Sequence, residues 1–310
     1  MTVVRRIVEL LNGATDITLL IHQHPDGDAI GSSVALYEAL TTVGKRPRIV
    51  CAQQIAPVFS RIVGRPIVEQ KLPDKTDLIL LLDCGEAHRT GFGRQLKNPN
   101  LKTKIVVIDH HPKGDLYKLA THYHSDESAS ATAEIIVDYL RELRQKITAP
   151  IATALLLGIY TDTGGFQHAN TTSRTLRLAS RLISFGGNLN LITETFWRQL
   201  SPAKKRLWGK ILSEIQISRC QILTAVVSQD HLQIAGATDE DVSGLANYLS
   251  LTHEAKAALV LLETETGWRG TLRTRHSGID LSQLAKFFGG KGQKKAAGFI
   301  TTKEVFSGKI

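Results

Sequence analysis

Acidic and imidazole side chains are concentrated in four short segments, HQHPDGDAIGS, LLLDCG, VIDHHP and IYTDTGG. The residues that could bind a cation there are His22, His24, Asp26, Asp28, Asp83, Asp109, His110, His111 and Asp162. Carboxylates that converge without basic partners repel one another, and a shared cation relieves this repulsion. Imidazole with carboxylate suits first-row divalent metals, and these residues offer more ligands than one ion uses. The pattern predicts a two-metal centre with a bridging carboxylate, whose natural chemistry is phosphoester hydrolysis.

The elements that carry these segments alternate short apolar runs with helix-periodic stretches, which predicts parallel βαβ units. Strands are predicted over residues 17–22, 46–51, 77–83 and 104–109, and helices over 29–43, 128–143, 173–185 and from Pro150 into Gly158. Ligand crevices of open parallel sheets lie beyond the carboxyl ends of the strands, so the acidic segments are expected at one edge. A single Asp at such an end is usually a turn former or helix cap, an interpretation that does not explain four together.

The second half of the chain has a different pattern. Residues 193–218 are helix-periodic around SPAKKRLWGKIL, and the later runs QILTAVVS, ALVLLETETGWRGTLRTR and AAGFITT predict a small sheet with helices near 239–250 and 280–288. A chain of 310 residues exceeds the usual size of one domain. The predicted organisation is a catalytic domain over 1–192, a helical linker over 193–218 and a substrate-binding domain over 219–310.

The chain is basic, with a formal net charge of +9. Between Arg269 and Lys295, seven Lys or Arg residues accompany a single acid, Asp280, which indicates either an ordinary solvated face or a site for an anionic partner. No apolar run approaches the length of about 20 residues that spans a bilayer. The start MTVVRRIVELLNG lacks the features of a signal peptide, and the three cysteines are predicted to be free thiols. A cytoplasmic protein without membrane association is expected.

The motifs resemble those of the DHH phosphoesterases, in particular the branch of nanoRNases (oligoribonucleases) and pAp phosphatases with a C-terminal DHHA-type domain. The family's H-x-x-P-D-x-D-A-x-G-S stands here as HQHPDGDAIGS, and its other motifs as LLLDCGEAHRTG, IDHHP and GIYTDTGGFQHANTT. The resemblance covers nearly the whole chain. It implies an N-terminal doubly wound parallel sheet, a smaller C-terminal α/β domain with a mixed sheet, and an active-site cleft between them.

The resemblance also implies roles for individual residues. One Mn²⁺ would be bound by His22, Asp26 and Asp83, and the other by Asp28, Asp83, His110 and Asp162, with Asp83 bridging. Mg²⁺ and Co²⁺ are alternative metals. Asp83, Asp109 and His111 are the predicted catalytic residues: Asp109 orients a histidine, and His111 faces the phosphate. His24, at a variable position of the first motif, is interpreted as stabilising its loop.

The residues implied in substrate binding are Arg89, Arg273, Gly289, Gly290, Gln293 and Lys294. Arg89 fits either a loop anchor or a phosphate contact. The family's arginine-serine element and G-G-G-H loop are altered here, because Thr274 replaces the serine, Lys291 a glycine and Gln293 the histidine. These substitutions leave the metal chemistry intact and affect the choice of substrate.

The expected activity is hydrolysis of di- to pentanucleotides to mononucleotides, dephosphorylation of pAp (a 3'(2'),5'-bisphosphate nucleotidase activity), or both, by attack of a hydroxide that bridges the metals. The expected partners are short RNA or DNA oligonucleotides and nucleotides such as pAp, and a homodimer is left open. The alternatives are a phosphodiesterase for cyclic or linear dinucleotides (c-di-AMP or pApA) and a nucleotide sensor without turnover. An inorganic pyrophosphatase is disfavoured, because it would not need a C-terminal nucleotide loop.

Overall fold

The computed structural model describes residues 2–64, 66–98, 102–198 and 201–302. The chain divides into two compact units, Met1–Phe196 and Trp197–Ile310, hereafter unit 1 and unit 2. The division falls within the segment predicted to link the domains. Over the described ranges, every helix is too short or too polar to cross a bilayer.

Unit 1 is built on a six-stranded sheet in the order β3-β2-β1-β4-β5-β6, with every neighbouring pair parallel. Its strands are β1 (Asp16–Leu20), β2 (Arg46–Val50), β3 (Val68–Glu69), β4 (Leu78–Leu82), β5 (Lys104–Asp109) and β6 (His122–Ser125). Its helices are α1 (Val3–Gly13), α2 (Gly27–Thr42), α3 (Pro57–Val63), α4 (Gly93–Leu96), α5 (Thr132–Glu142), α6 (Ala149–Asp162) and α7 (Ser173–Ser184), and α8 (Leu189–Arg198) reaches the division. Short 3-10 helices cover Ala87–Thr90 and Asp115–Lys118.

The central strand β4 is apolar throughout because both faces of the sheet are covered. All five residues of β4 are buried. One face packs against α1, α2, α5 and α6, and the other against α4 and the two 3-10 helices. The predicted doubly wound parallel sheet is therefore confirmed, and β5 covers the predicted residues 104–109.

Helices α2 and α6 approach each other closely beside the sheet. A Cβ atom on Gly31 of α2 would lie 2.2 Å from the backbone oxygen of Ala154 in α6, so only glycine fits there. The prediction that the helix beginning at Pro150 ends near Gly158 is wrong, because α6 continues to Asp162. Gly158 lies inside the helix, where a Cβ atom would come within 2.6 Å of the Asp28 carboxylate.

Unit 2 contains a mixed sheet in the order β11-β12-β10-β9-β8-β7. Its strands are β7 (Gln216–Ile217), β8 (Ile222–Val227), β9 (Ala257–Glu263), β10 (Gly267–Arg273), β11 (Lys291–Gly292) and β12 (Ala296–Thr302), and its helices are α9 (Pro202–Leu212), α10 (Gln229–Ala235), α11 (Leu245–Leu249) and α12 (Leu281–Phe287). Strands β8 and β9 pair in parallel, and the other neighbours are antiparallel. The predicted mixed sheet is confirmed. The helix predicted over 239–250 is instead a 3-10 helix, Asp239–Val242, followed by α11, with Gly244 at a φ of +89° before it.

Candidate metal centre

The loop between β1 and α2, together with the first turn of α2, carries the first three candidate ligands. Asp26 is the N-cap of α2, since its Oδ1 accepts the backbone N–H groups of Asp28 at 3.0 Å and Ala29 at 3.1 Å. Its other oxygen, Oδ2, lies 3.8 Å from Nε2 of the buried His22. One carboxylate therefore fixes the start of the helix and still presents an oxygen to the imidazole.

Asp83 follows β4 and lies between His22 on one side and His110 and His111 on the other. Its backbone has a φ of +57°, a left-handed conformation that is uncommon for residues other than glycine. Its side chain is buried. Oδ2 lies 3.5 Å from His22 Nε2, whereas Oδ1 lies 3.6 Å from His110 Nε2 and 3.5 Å from His111 Nδ1. The two oxygens of one carboxylate thus face different imidazoles, as a bridging ligand requires.

Asp109 is the last residue of β5 and organises the two histidines that follow it. Its Oδ1 accepts hydrogen bonds from His111 Nδ1 at 2.8 Å and from the backbone N–H groups of His110 and His111 at 2.8 and 3.1 Å. This leaves Nε2 of His111 without a hydrogen-bond partner among the described residues. His110 points the other way, with Nε2 3.0 Å from Asp162 Oδ2 at the end of α6 and 3.9 Å from Asp28 Oδ2.

Thr132, the first residue of α5, contacts two of the carboxylates and was not identified from the sequence. Its hydroxyl donates to Asp83 Oδ1 at 3.1 Å, and its backbone N–H donates to Oδ2 of the fully buried Asp28. Asp28 Oδ1 also accepts the N–H of Ala133 at 2.9 Å and the hydroxyl of Ser32 at 3.2 Å. The N-terminus of α5 therefore stabilises a buried carboxylate. No local pattern reveals this contact, since Asp28 lies 104 residues before Thr132.

The carboxylates change the protonation of the two buried histidines. Burial disfavours the charged form of His22, but the adjacent Asp26 and Asp83 outweigh it and raise the pKa of His22 to about 10. Burial likewise opposes protonation of His110. The neighbouring carboxylates, of which Asp162 has the largest effect, outweigh burial and raise the pKa of His110 to about 10. In the metal-free protein these imidazoles therefore carry protons that a metal would have to displace.

The pKa values of two buried carboxyl groups are raised as well, which in their case disfavours the charged form. Burial raises the pKa of Asp28, and repulsion from Asp83 and Asp162 raises it further. Burial also raises the pKa of Asp83, against the effect of His22. A positive charge at this position would remove both penalties.

A divalent metal fits this arrangement. Three groups each place one donor atom per residue within 4.8 Å of the others, namely His22, Asp26 and Asp83, then Asp28, His110 and Asp162, and finally Asp83, His110 and His111. Nε2 of both His22 and His110 is buried, and the carboxylate oxygens facing it, on Asp83 at 3.5 Å and on Asp162 at 3.0 Å, are not aligned for a hydrogen bond, which is costly unless another ligand binds there. The nitrogen and oxygen donors suit first-row divalent cations.

Every residue predicted as a metal ligand thus lies in one cluster at the carboxyl edge of the sheet. His24 lies apart from the cluster and contacts Gln53 through its backbone N–H at 2.9 Å and its ring Nε2 at 3.3 Å. Arg89 lies in the 3-10 helix at Ala87–Thr90, and its backbone oxygen accepts the N–H of Gln23 at 2.8 Å, which ties this helix to the first loop.

The other residues predicted to bind substrate belong to unit 2. The turn between α12 and β12 holds Gly289, Gly290, Gln293 and Lys294. Arg273 ends β10 and pairs with Ala296 of β12, so it lies beside this turn. Its Nε donates to Asn247 Oδ1 at 2.7 Å, and burial lowers the pKa of its guanidinium. Asn247 fixes the orientation of this arginine and was not identified from the sequence.

A parallel α/β unit with a shared carboxylate and buried imidazoles at its carboxyl edge defines a metal-dependent hydrolase of phosphoester bonds. The comparisons with known proteins agree. A family model described as "DHH family, N-terminal domain" matches residues 16–159. The chain belongs to the DHH family.

Relatives of known name cover most of the chain. It is 31% identical to the "Bifunctional oligoribonuclease and PAP phosphatase NrnA" of Thermus thermophilus over 96% of this chain and 87% of that protein. It is 28% identical to the "Probable bifunctional oligoribonuclease and PAP phosphatase NrnA" of Streptococcus mutans over 91% of this chain and 88% of that protein. The crystal structure of an exopolyphosphatase-related protein from Bacteroides fragilis shares the fold, with a TM-score of 0.87, 21% identity and coverage of 98% of this chain and 93% of that one.

Metal binding should release protons in the neutral range. Because the pKa values of His22 and His110 are raised to about 10 from the usual 6.5, these protons stabilise the metal-free protein fully below pH 6.5. That contribution is lost as the pH rises towards 10, whereas metal affinity increases over the same interval. Calorimetric titration with Mn²⁺ in buffers of different ionisation enthalpy measures the release. H22A should reduce it and H24A should not, and equal release by all three proteins would contradict the prediction.

Removal of the Thr132 hydroxyl should weaken metal binding without unfolding the protein. T132V keeps the shape and the backbone N–H but loses the hydrogen bond to Asp83, so we expect Mn²⁺ affinity to fall by about 10-fold or more. T132S keeps the hydroxyl and should restore affinity. Calorimetric titration of the three proteins, with thermal unfolding of their metal-free forms, separates this effect from a loss of stability. An unchanged affinity in T132V would show that the hydroxyl does not position Asp83.

Proposed function

We propose that the protein hydrolyses di- to pentanucleotides to mononucleotides and removes a phosphate from pAp. The observation that carries this proposal is the position of Asp83, whose two oxygens face His22 on one side and His110 and His111 on the other. The names of the relatives from Thermus thermophilus and Streptococcus mutans support the choice of these substrates within the family.

Two divalent ions complete the proposed site. One would be held by His22, Asp26 and Asp83, and the other by Asp28, Asp83, His110 and Asp162. The mixture of imidazole and carboxylate favours Mn²⁺ over Mg²⁺, which prefers oxygen ligands and keeps several of its waters. Bound metal would supply an activated water and neutralise phosphate charge.

His111 is the proposed contact of this unit to the scissile phosphate. The hydrogen bond from Nδ1 to Asp109 fixes the ring, and this bond raises the pKa of His111, which favours the imidazolium. A charged ring held in one orientation can donate from Nε2 to a phosphate oxygen. Asp109 acts through His111 and stabilises its charge.

Unit 2 is proposed to carry residues that bind nucleotide phosphates. Arg273, oriented by Asn247, offers its guanidinium to a phosphate, and Gln293 and Lys294 add donors from the adjacent turn. Gln293 donates and accepts hydrogen bonds without carrying charge, so its contact to a phosphate is weaker than that of the family's histidine. Arg89 of unit 1 is proposed as a further phosphate contact.

Cellular location and assembly complete the proposal. Cys51, Cys84 and Cys220 are free thiols, which suits a reducing compartment, and we place the protein in the cytoplasm. A homodimer is proposed and is tested by sedimentation of the purified protein.

The test measures turnover of defined substrates. The purified protein is incubated with Mn²⁺ and, separately, pAp, labelled di- to pentaribonucleotides, pApA, a cyclic dinucleotide and pyrophosphate. Metal-dependent release of mononucleotides and of phosphate from pAp is expected, with slower turnover of the cyclic dinucleotide. Faster turnover of cyclic dinucleotide or pyrophosphate would overturn the substrate assignment, and binding of nucleotides without hydrolysis would overturn the enzyme itself. Q293H tests whether the altered turn sets the ranking.

A further inference from the structure

Phe287, the last residue of α12 in unit 2, exposes most of its ring to solvent. Its fractional exposure of 83% is the highest of the large hydrophobic residues in the described ranges. Aromatic residues make up only 6% of the sequence, so the exposure of Phe287 does not follow from a high aromatic content. A single exposed apolar residue is ordinary in a protein surface, and the surroundings of Phe287 decide whether it has a role.

The ring of Phe287 contacts one further aromatic ring. It meets Phe288 edge to face, with centroids 5.2 Å apart and planes at 89°, and Phe288 in turn stacks on the buried Phe299 at 4.5 Å. This contact leaves most of the Phe287 ring open to a planar ligand.

Two lysines lie at the Phe287 end of α12. Lys286 precedes it on the helix, and Lys291 is exposed in β11, against which α12 packs. The acid of this segment, Asp280, lies at the opposite end of α12, where it caps the helix by accepting the N–H of Ser282 at 3.0 Å. Lys294 lies at that opposite end too, since its backbone oxygen accepts the N–H of Leu281 at 2.8 Å.

We propose that Phe287 is a stacking platform for a base of a single-stranded oligoribonucleotide, whose phosphates contact Lys286 and Lys291. An exposed aromatic ring beside lysines is the combination that binds single strands, because every base has a face that stacks and every linkage carries a negative charge. The inference rests on the proposed function and specifies how the substrate is held. Stacking depends little on base identity, so the protein accepts short oligonucleotides of different sequence.

The test measures binding separately from turnover. On the background of D83N, which prevents cleavage, the dissociation constant of labelled penta-adenylate is measured by fluorescence anisotropy with and without F287A. We expect F287A to weaken binding by about 5- to 30-fold. F287W should preserve affinity, and its added tryptophan fluorescence should be quenched on binding. I234A is the matched control, since Ile234 is 80% exposed in the same unit and should leave binding unchanged.

A second ligand distinguishes the contribution of the bases to binding from that of the phosphates. A pentamer of abasic ribose phosphates should bind more weakly than penta-adenylate to the parent protein, and F287A should remove that difference. Equal affinity of F287A and its parent for penta-adenylate would overturn the proposal, as would an equal loss for the abasic pentamer. Loss of binding that follows dissociation of a dimer in sedimentation would assign Phe287 to self-association instead. Failure of the wild type to hydrolyse the pentamer, with base-dependent binding intact, would reject the proposed function and leave the platform standing.

Discussion

Replacement of Asp83 by asparagine should abolish most of the hydrolysis of pAp and short oligonucleotides, with kcat falling by about three orders of magnitude. The carboxylate presents one oxygen to His22 and the other to His110 and His111. An amide replaces one of these oxygens by a neutral donor, so it cannot serve both sides. The initial rate of pAp hydrolysis at saturating Mn²⁺ measures the loss.

The control for D83N is D74N, because Asp74 is exposed in the loop before β4 and lies outside the candidate metal groups. D74N should keep wild-type rates. Circular dichroism and thermal unfolding should show that metal-free D83N remains folded, since the substitution preserves side-chain shape and removes a buried charge. Hydrolysis by folded D83N within about 10-fold of the wild-type rate would refute a bridging role for Asp83.

Gly31→Ala should lower the free energy of unfolding of the protein by about 2 to 3 kcal/mol. The new methyl group would lie 2.2 Å from the backbone oxygen of Ala154, so α2 and α6 would have to separate where they pack closest. Alanine favours the helical state over glycine by up to about 1 kcal/mol, which offsets only part of the clash. Urea unfolding of the metal-free protein measures the change in stability.

Gly13→Ala is the matched control for G31A. Gly13 is the last residue of α1, and a Cβ atom there would meet no heavy atom within 4 Å. Its substitution should change the free energy of unfolding by less than about 1 kcal/mol, in the stabilising direction. Equal midpoints for G31A and G13A would show that the helices relax around the methyl group at little cost.

The apolar patterns predict the centre of unit 1 well and its edges poorly. Strands β4 and β5 contain uninterrupted aliphatic runs, which are typical of buried strands in a parallel sheet, and β1 and β2 end in shorter apolar runs at residues 19–20 and 49–50. The edge strands β3 and β6 were not predicted, because β3 has two residues and β6 reads HYHS, with polar side chains at most positions. Gly158 does not mark the end of α6, which continues to Asp162. The residue is glycine because Asp28 approaches the helix closely there, and this tertiary contact is not visible in the sequence.

The candidate ligands could be predicted because each follows a strand or ends a helix, where the parallel topology collects them. The residues that support the candidate ligands could not be predicted. Thr132 and Asn247 resemble ordinary polar residues of helices, and their partners Asp28, Asp83 and Arg273 are distant in sequence. The roles of Thr132 and Asn247 follow only from three-dimensional contacts.

The spread of the cluster along the chain has a consequence for synthesis of the protein. The hydrogen bond between Thr132 and Asp28 closes a loop of 104 residues, and the last candidate ligand, Asp162, ends α6. During translation at about 5 to 20 residues per second, a nascent chain therefore has all the candidate ligands only after α6 has left the ribosome. Until α5 has emerged, Asp28 has no helix N-terminus to bind. The proposed metal centre can therefore assemble only after more than half of the chain has been synthesised.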